Sequence, residues 1–328
     1  MAHHQRPSAT VEMLRYRARL IAQMRDYFDA SGACEVTTPV LSRFATSEPA
    51  LDNLALECAP VPGCRYLRTS PESVMKRLLA AGSGDIYQIG PVFRGGEAGK
   101  FHLPEFTMLE WYRRDFDHRQ LMNDVEALLD SLGLNRPITR VSYAELWARH
   151  IGGDPHAITT TRLAEIAART PVPLSPADRE DRSLLFDCVY AHSLEPALAV
   201  DGAVFLFDYP LELRAYARVS ARDPHVAERF ELVIDGTEIA NAYHEITDVE
   251  EQRRCFEQDN ALRMRRGRPK MNVDEDWLAA LADGLPACAG VALGIERLIM
   301  ALTGVGDILD TTGIGILSGP ISGQNSVA

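Results

Sequence analysis

Between residues 13 and 30, Leu14, Ala18, Ile21, Met24, Tyr27 and Phe28 recur at three- and four-residue steps, the spacing of one apolar face on an amphipathic helix. Gly32 supplies a stop for that helix. The run Glu35-Val36-Thr37-Thr38-Pro39-Val40-Leu41 is rich in β-branched residues, but its proline cannot donate into a ladder, so an edge or interface strand is expected. Strand-like runs follow at 65–68, 86–93 and 106–112, separated by loops of glycine, proline and charge. Helical spacing returns over 117–132 through Leu121, Met122, Val125, Leu128, Leu129 and Leu132. From about 142 to 195 the pattern reads as short helices joined by proline-rich connections such as Pro171-Val172-Pro173. Strands resume at 203–207, 228–234 and 237–246, and helices at 249–266 and 275–285. Strands and helices mixed without βαβ alternation predict an α+β fold, an antiparallel sheet flanked by helices.

Composition narrows the function. With 328 residues and 46% hydrophobic content, the chain can bury one large core, alone or with an insertion. Its 34 basic against 46 acidic side chains give a net charge of −12, the wrong sign for extended nucleic-acid binding. The six cysteines are scattered without a CxxC pair or nearby histidines, which predicts reduced thiols and no structural zinc. No signal-like or membrane-spanning apolar run is present in the sequence, so a cytoplasmic location without membrane association is expected.

Three segments carry candidate chemistry. Gly90-Pro91-Val92-Phe93-Arg94-Gly95-Gly96-Glu97, followed by 102–112, reads as strand, loop, strand, and can present Arg94 to a phosphate and Phe106 to a base. Taken alone, Arg94 is an ordinary loop arginine. Residues 290–300 read as a buried strand passing through Gly294 into a helix, with Arg297 in a first turn that already favours anions. A close-packed strand–helix junction would use the same glycines. Over 236–245, Glu238 and Glu245 stand seven residues apart, on opposite faces of a regular strand. Both reach one site only if a bulge near Asn241-Ala242 restores the phase. They could then hold magnesium; otherwise the segment is a solvated strand.

In this order, behind the Glu-Val-Thr-Thr-Pro run, the three segments resemble motifs 1, 2 and 3 of class II aminoacyl-tRNA synthetases. Thr69-Ser70-Pro71-Glu72, Pro104-Glu105-Phe106-Thr107-Met108 and Asn241-Ala242-Tyr243-His244-Glu245 resemble lysyl-tRNA synthetases and, more narrowly, their truncated paralogues, the elongation factor P lysine ligases. The resemblance spans about residues 13–303, with 1–12 as an N-terminal extension and 304–328 as an atypical tail. Two features favour the ligases. The dozen residues before the first helix leave no room for an anticodon-reading domain, so extended tRNA binding is not expected. Ala292 also stands where the resembling synthetases carry glycine and the ligases alanine, a wall change that suits (R)-β-lysine.

The resemblance implies an ATP-dependent enzyme that forms an aminoacyl-adenylate of lysine or β-lysine and passes it to elongation factor P. It implies Ser70, Pro71, Glu72, Glu110, Tyr112, Asn241, Glu245 and Ala292 for the amino acid, and Arg94, Gly95, Gly96, Glu97, Phe106, Glu238, Ile239, Gly294 and Arg297 for ATP. Arg94, Arg297 and Glu238 would be catalytic, Glu238 and Glu245 would hold Mg2+, and the first helix and strand would form a homodimer interface.

Departures from the pattern matter. Gly96 takes the place of the usual motif 2 acid, with Glu97 one residue later, and Leu103 replaces an asparagine that contacts ATP in the resembling proteins. A lost hydrogen bond of that kind costs about 0.5–1.5 kcal/mol. These changes leave a catalytically inactive amino-acid-binding paralogue as an alternative, beside a minimal tRNA-charging enzyme. Arg263, Arg265, Arg266, Arg268 and Lys270 form the one dense basic run, either a solvated helix end or a docking patch for an acidic elongation factor P surface.

Overall fold

The computed structural model describes residues 8–58 and 61–313. It contains helices α1 (Val11–Ala30), α2 (Glu72–Ala80), α3 (His118–Ser131), α4 (Tyr143–His150), α5 (Thr160–Ala167), α6 (Arg182–Val189), α7 (Glu195–Asp201), α8 (Val249–Arg265), α9 (Glu275–Gly284) and α10 (Ile295–Thr303). The strands are β1 (Cys34–Glu35), β2 (Leu41–Ser42), β3 (Tyr66–Leu67), β4 (Ile86–Phe93), β5 (Glu105–Arg114), β6 (Thr139–Ser142), β7 (Ala203–Pro210), β8 (Val226–Ile234), β9 (Thr237–His244) and β10 (Cys288–Gly294). Eight strands form one sheet in the order β1-β4-β5-β10-β9-β8-β7-β6, while β2 and β3 pair separately. Inner pairs are antiparallel, and the two outermost pairs, β1 with β4 and β6 with β7, are parallel. The expected α+β architecture is present.

Strand alternation gives the sheet two different faces. One turns Leu109 and Trp111 of β5, Ala240 and Ala242 of β9, and Val291 and Leu293 of β10 onto α1 and α3, building the largest core. α1 contributes Leu20, Met24 and Phe28, and α3 contributes Leu121, Met122, Val125, Leu128 and Leu129. Both helices start on side-chain caps, Thr10 for α1 and an Asp117/Gln120 capping box for α3. On the other face, α4–α7 pack a second core against Val204, Leu206 and Val233. At the opposite end α2, α8 and α9 gather Met75, Leu79, Phe256, Trp277 and Leu281 around Tyr112 and Tyr216. The middle of that face stays open as the floor of a cavity.

The 35–41 run is not one strand. Only Cys34–Glu35 joins the sheet, at its edge, and Leu41 pairs with Leu67 in the small sheet. Between them, Thr38 N donates to Gln88 Oε1 at 2.8 Å, and buried Arg68 donates to Thr38 O and Oγ1 at 3.0 and 2.6 Å. Side chains there replace the ladder that Pro39 would interrupt. The basic run is also not a solvated end. Arg263, 1% exposed, donates to the carbonyls of Pro269, Glu48 and Leu51 at 2.9, 3.0 and 3.1 Å. Arg266 pairs with Asp181 and Arg268 with Asp52, and Arg265 and Lys270 are exposed. Of the expected tail, residues 304–313 pack back on the domain, with Ser8 N and Ala9 N donating to Gly313 O and Thr312 O. The rest of the tail, from 314 on, lies outside the described residues.

One carboxylate ties three elements of the main core together. Asp124 of α3 accepts from Tyr27 Oη of α1 at 2.7 Å, and from Trp111 Nε1 and Arg113 Nε of β5 at 2.9 and 2.8 Å. Arg113 is 4% exposed, so losing Asp124 leaves a buried cation with only the more distant Asp85 carboxylate at 3.5 Å. Asp124→Ala is expected to destabilise the fold by about 3–5 kcal/mol in denaturant titration, whereas Arg265→Ala should change it by less than about 0.5 kcal/mol.

Candidate active site

The cavity, about 290 Å3, is floored by β5, β10, β9 and β8 and walled by the 48–51 loop, α2 and the 94–106 hairpin. Its lining holds Ser70, Glu72, Arg94, Glu97, Phe106, Glu110, Tyr112, Glu238, Ile239, Asn241, Glu245, Ala292, Gly294 and Arg297. Three expected residues are not in that lining. Pro71 caps α2, Gly95 bonds to the Asp52 carbonyl at 2.8 Å, and Gly96 sits at φ +74°, a turn conformation that favours glycine over the expected acid. Glu97 faces the cavity in its place.

Register explains the convergence. Ala292 of β10 lies between Glu110 of β5 and Asn241 of β9, so three side chains of one face share a row. Asn241 and Tyr243 continue that face along β9, and Glu245 follows just beyond the strand. A bulge does bring Glu238 to the same side, but it lies two residues earlier than expected. Leu232 pairs with Ala240 and Val233 with Glu238, leaving Ile239 as the extra residue.

At one end the site is cationic and flat. The Arg94 guanidinium carbon lies 5.2 Å from the Phe106 ring centroid, and Arg94 Nε is buried without a hydrogen-bond partner among the described residues. Arg297 donates to the carbonyls of Phe101 and Glu238 at 3.1 and 3.0 Å, with Nη1 3.8 Å from Glu238 Oε2. Gly294 leaves open space where a Cβ would stand. Arg229 and Glu231 of β8, adjacent on the same wall, were not legible as site residues: they pair with each other, and burial together with the nearby Glu238 charge raises the pKa of Glu231 against the pull of Arg229.

The other end is a buried acid pocket. Lys76 of α2, wholly buried, lies 2.7 Å from Glu72 and 2.6 Å from Glu245. Burial opposes its charge, but those two carboxylates hold its pKa above the usual lysine range. Burial raises Glu245 in turn, opposed by Lys76 and reinforced by Glu72. Glu110 is pushed up to about 8, mainly by burial and then by Glu72. Tyr112 Oη donates to Glu110 Oε1 at 2.7 Å, while Oε2 is buried with no partner among the described residues. Such an orphaned acceptor is costly unless a ligand supplies a donor. Gly290 makes room for this pocket, because a Cβ there would fall 2.3 Å from Tyr112 and 2.5 Å from Glu245.

Glu245, expected together with Glu238 at a magnesium ion, lies 2.6 Å from Lys76 Nζ, and the Glu238 charge bears on buried Glu231. Sequence reasoning also missed Lys76, whose charge broke the apolar spacing that otherwise marks α2, and Glu48, half-buried in the loop that Arg263 pins. Burial, then Glu72 and Asp259, raise the Glu48 carboxyl to about 7.

The elongation factor P–(R)-β-lysine ligase of Pasteurella multocida is 41% identical over 314 residues, 94% of this chain and 97% of that protein. The ligases of the same name from Avibacterium paragallinarum and Photorhabdus laumondii are 41% and 40% identical, covering 96% and 94% of this chain and 99% and 97% of their own. A family model of class II tRNA synthetases of the D, K and N type matches residues 2–313, and the chain belongs to that family.

Proposed function

We propose that this chain is an ATP-dependent ligase that adenylates (R)-β-lysine, or lysine, and transfers it to a lysine side chain of elongation factor P. The observation that carries this reading is one cavity with two opposed ends, Arg94, Phe106 and Arg297 at one and Glu72, Glu110 and Glu245 at the other. The names and full-length similarity of the relatives support the same substrates.

In the first half-reaction the substrate carboxylate attacks the α-phosphorus of ATP and pyrophosphate leaves. The protein needs no nucleophile for this step; it positions the reactants and stabilises charge. Phe106 offers a face to adenine, and Arg94 and Arg297 offer permanent positive charge to the phosphates. The acid pocket takes the ammonium groups, with Glu110 Oε2 and Glu245 as acceptors and Tyr112 orienting Glu110. Ala292, between Glu110 and Asn241, sets how deep the amine-bearing carbons sit. Glu238 and Glu245, the pair expected from the sequence and both lining the cavity, would hold a magnesium ion that neutralises polyphosphate charge. In the second half-reaction a neutral lysine amine of the acceptor attacks the adenylate carbonyl, forming the amide and releasing AMP and the amine proton.

A cytoplasmic location is part of the same reading, because the proposed acceptor belongs to the translation apparatus; no helix among the described residues is long and apolar enough to cross a membrane. A two-fold dimer across α1 and edge strand β1 is part of the same reading, supported by the edge position of β1 and by Val11, 64% exposed at the start of α1.

Mass spectrometry of elongation factor P incubated with the protein, ATP and each lysine isomer should show addition of one lysyl mass; no addition with any isomer, or efficient charging of bulk tRNA instead, would overturn the assignment. Arg297→Ala should lower amino-acid-dependent pyrophosphate exchange by about 10²–10³-fold while calorimetric binding of the amino acid stays near wild type. Glu245→Gln should do the opposite, weakening amino-acid binding by about 2–3 kcal/mol because Lys76 and the substrate amine both lose a charged partner.

A pH dependence follows from Glu110. Its carboxyl, raised to about 8 in the empty pocket, must ionise to receive an ammonium, so binding releases a proton below that pH. Affinity for the amino acid should therefore rise with pH from 6 to 8, by up to about tenfold per unit, and level off above 8. Calorimetry in buffers of different ionisation enthalpy should register the released proton, and Glu110→Gln should diminish both effects, leaving the part that Glu245 contributes near pH 7.

A further inference from the structure

On the core side of β9, away from the cavity, three metal-capable side chains meet that the ligase reaction does not use. One ligand atom each from His118 of α3, Glu228 of β8 and His244 of β9 lies within 4.8 Å of the other two. His244 Nδ1 is 2.6 Å from Glu228 Oε2. His118, 5% exposed, is held through Nε2 by Asp208 Oδ1 at 3.0 Å, and its Nδ1 is buried without a hydrogen-bond partner among the described residues. Asp208 itself stands at a β-bulge of β7 with φ +58°, and Arg119 takes its second oxygen at 2.7 Å.

We propose that His118, Glu228 and His244 form a binding site for one divalent transition-metal ion, zinc by donor set, which clamps α3 to β8 and β9. Two imidazoles and one carboxylate are a three-ligand zinc set, with water in the fourth position. Asp208 plays the part that outer carboxylates play at such sites, fixing the ring orientation of a histidine ligand. Tetrahedral zinc with bonds near 2.0–2.1 Å brings ligand atoms to about 3.3 Å of one another, so the three groups must close by an ångström or so from their present 4.8 Å limit. Arg218 is the competing group. Its guanidinium lies 3.4 Å from His244 Nε2 and 3.6 Å from Glu228 Oε2, and its side chain is 38% exposed, so it supplies loose positive charge to the cluster and has room to swing out. The site is independent of the catalytic reading: neither His118 nor Glu228 lines the cavity.

The test uses the full chain with His3 and His4 replaced by alanine, stripped by chelator and titrated with Co2+ and with Zn2+. Expected are one equivalent of each ion, the visible absorption bands of tetrahedral Co2+, and a Tm that rises with Zn2+. His118→Gln and Glu228→Gln, checked for folding by circular dichroism, should each weaken Zn2+ binding at least 100-fold, and Asp208→Asn by about 10- to 100-fold. The absence of stoichiometric binding would overturn the site. So would binding unchanged in folded His118→Gln and Glu228→Gln variants, or a thiolate-to-cobalt charge-transfer band, which would move the ion to a cysteine.

Discussion

Lys76 sits wholly buried between Glu72 and Glu245, while Glu110 completes the acid pocket with one oxygen unpartnered. Three carboxylates against one ammonium leave a formal deficit of two positive charges when all are ionised. Isolated charges are among the most expensive groups to remove from water, so such a deficit persists only where a ligand corrects it. A lysine-type substrate brings two ammonium groups. Until it arrives, the pocket lowers its own cost by keeping Glu110 protonated near neutral pH and by holding Glu245 against Lys76. The same unmet charge that makes the empty pocket costly favours an amino acid with two ammonium groups over one of similar size with a single ammonium.

That pocket depends in turn on strand register. Glu110, Ala292 and Asn241 share one row because β5, β10 and β9 are antiparallel neighbours, and a one-residue slip would turn all of them into the α1/α3 core. The apolar partners on the opposite face, Leu109, Trp111, Val291 and Leu293, therefore fix the site as firmly as any polar contact within it. Two local exceptions to regular sheet finish the job. Gly290 removes a side chain so that Tyr112 and Glu245 can cross the strand, and the Ile239 bulge shifts Glu238 onto the wall that also holds Glu231.

Motif spacing made much of this visible in the sequence. Helices α1 and α3, the paired strands β4 and β5, and the β10–α10 junction all follow period and turn chemistry, and Arg94, Phe106, Glu238 and Arg297 do face one cavity. What stayed hidden depends on long-range pairing. A buried lysine inside an apolar stripe disguised α2, because its counter-charges lie partly 169 residues downstream at Glu245. Glu231 reads as an ordinary strand acid until β8 is set beside β9. Arg263, Arg266 and Arg268 look like a surface run, yet each finds a partner at least 85 residues away. The exact position of the bulge was likewise undetermined, since only the β8 register reveals which residue is extra.

Leu103 and the segment after α10 belong to one arrangement. Leu103 packs with Met300 and Ile308, with Phe106 against the same cluster, and Ile308 N donates to Lys100 O at 3.0 Å. An asparagine at position 103 would offer ATP one more hydrogen bond, but leucine instead fastens the 94–106 hairpin to the returning C-terminal segment, which is itself bonded to Ser8 and Ala9. Ordering a loop residue costs about 1–2 kcal/mol of backbone entropy, comparable to the 0.5–1.5 kcal/mol that one hydrogen bond contributes. A hairpin already fixed before ATP binds does not incur that cost again. Packing of Leu103 on Ile308 thus fixes the hairpin that carries Arg94 and Phe106, and under the proposed function this preorganisation would offset the lost polar contact.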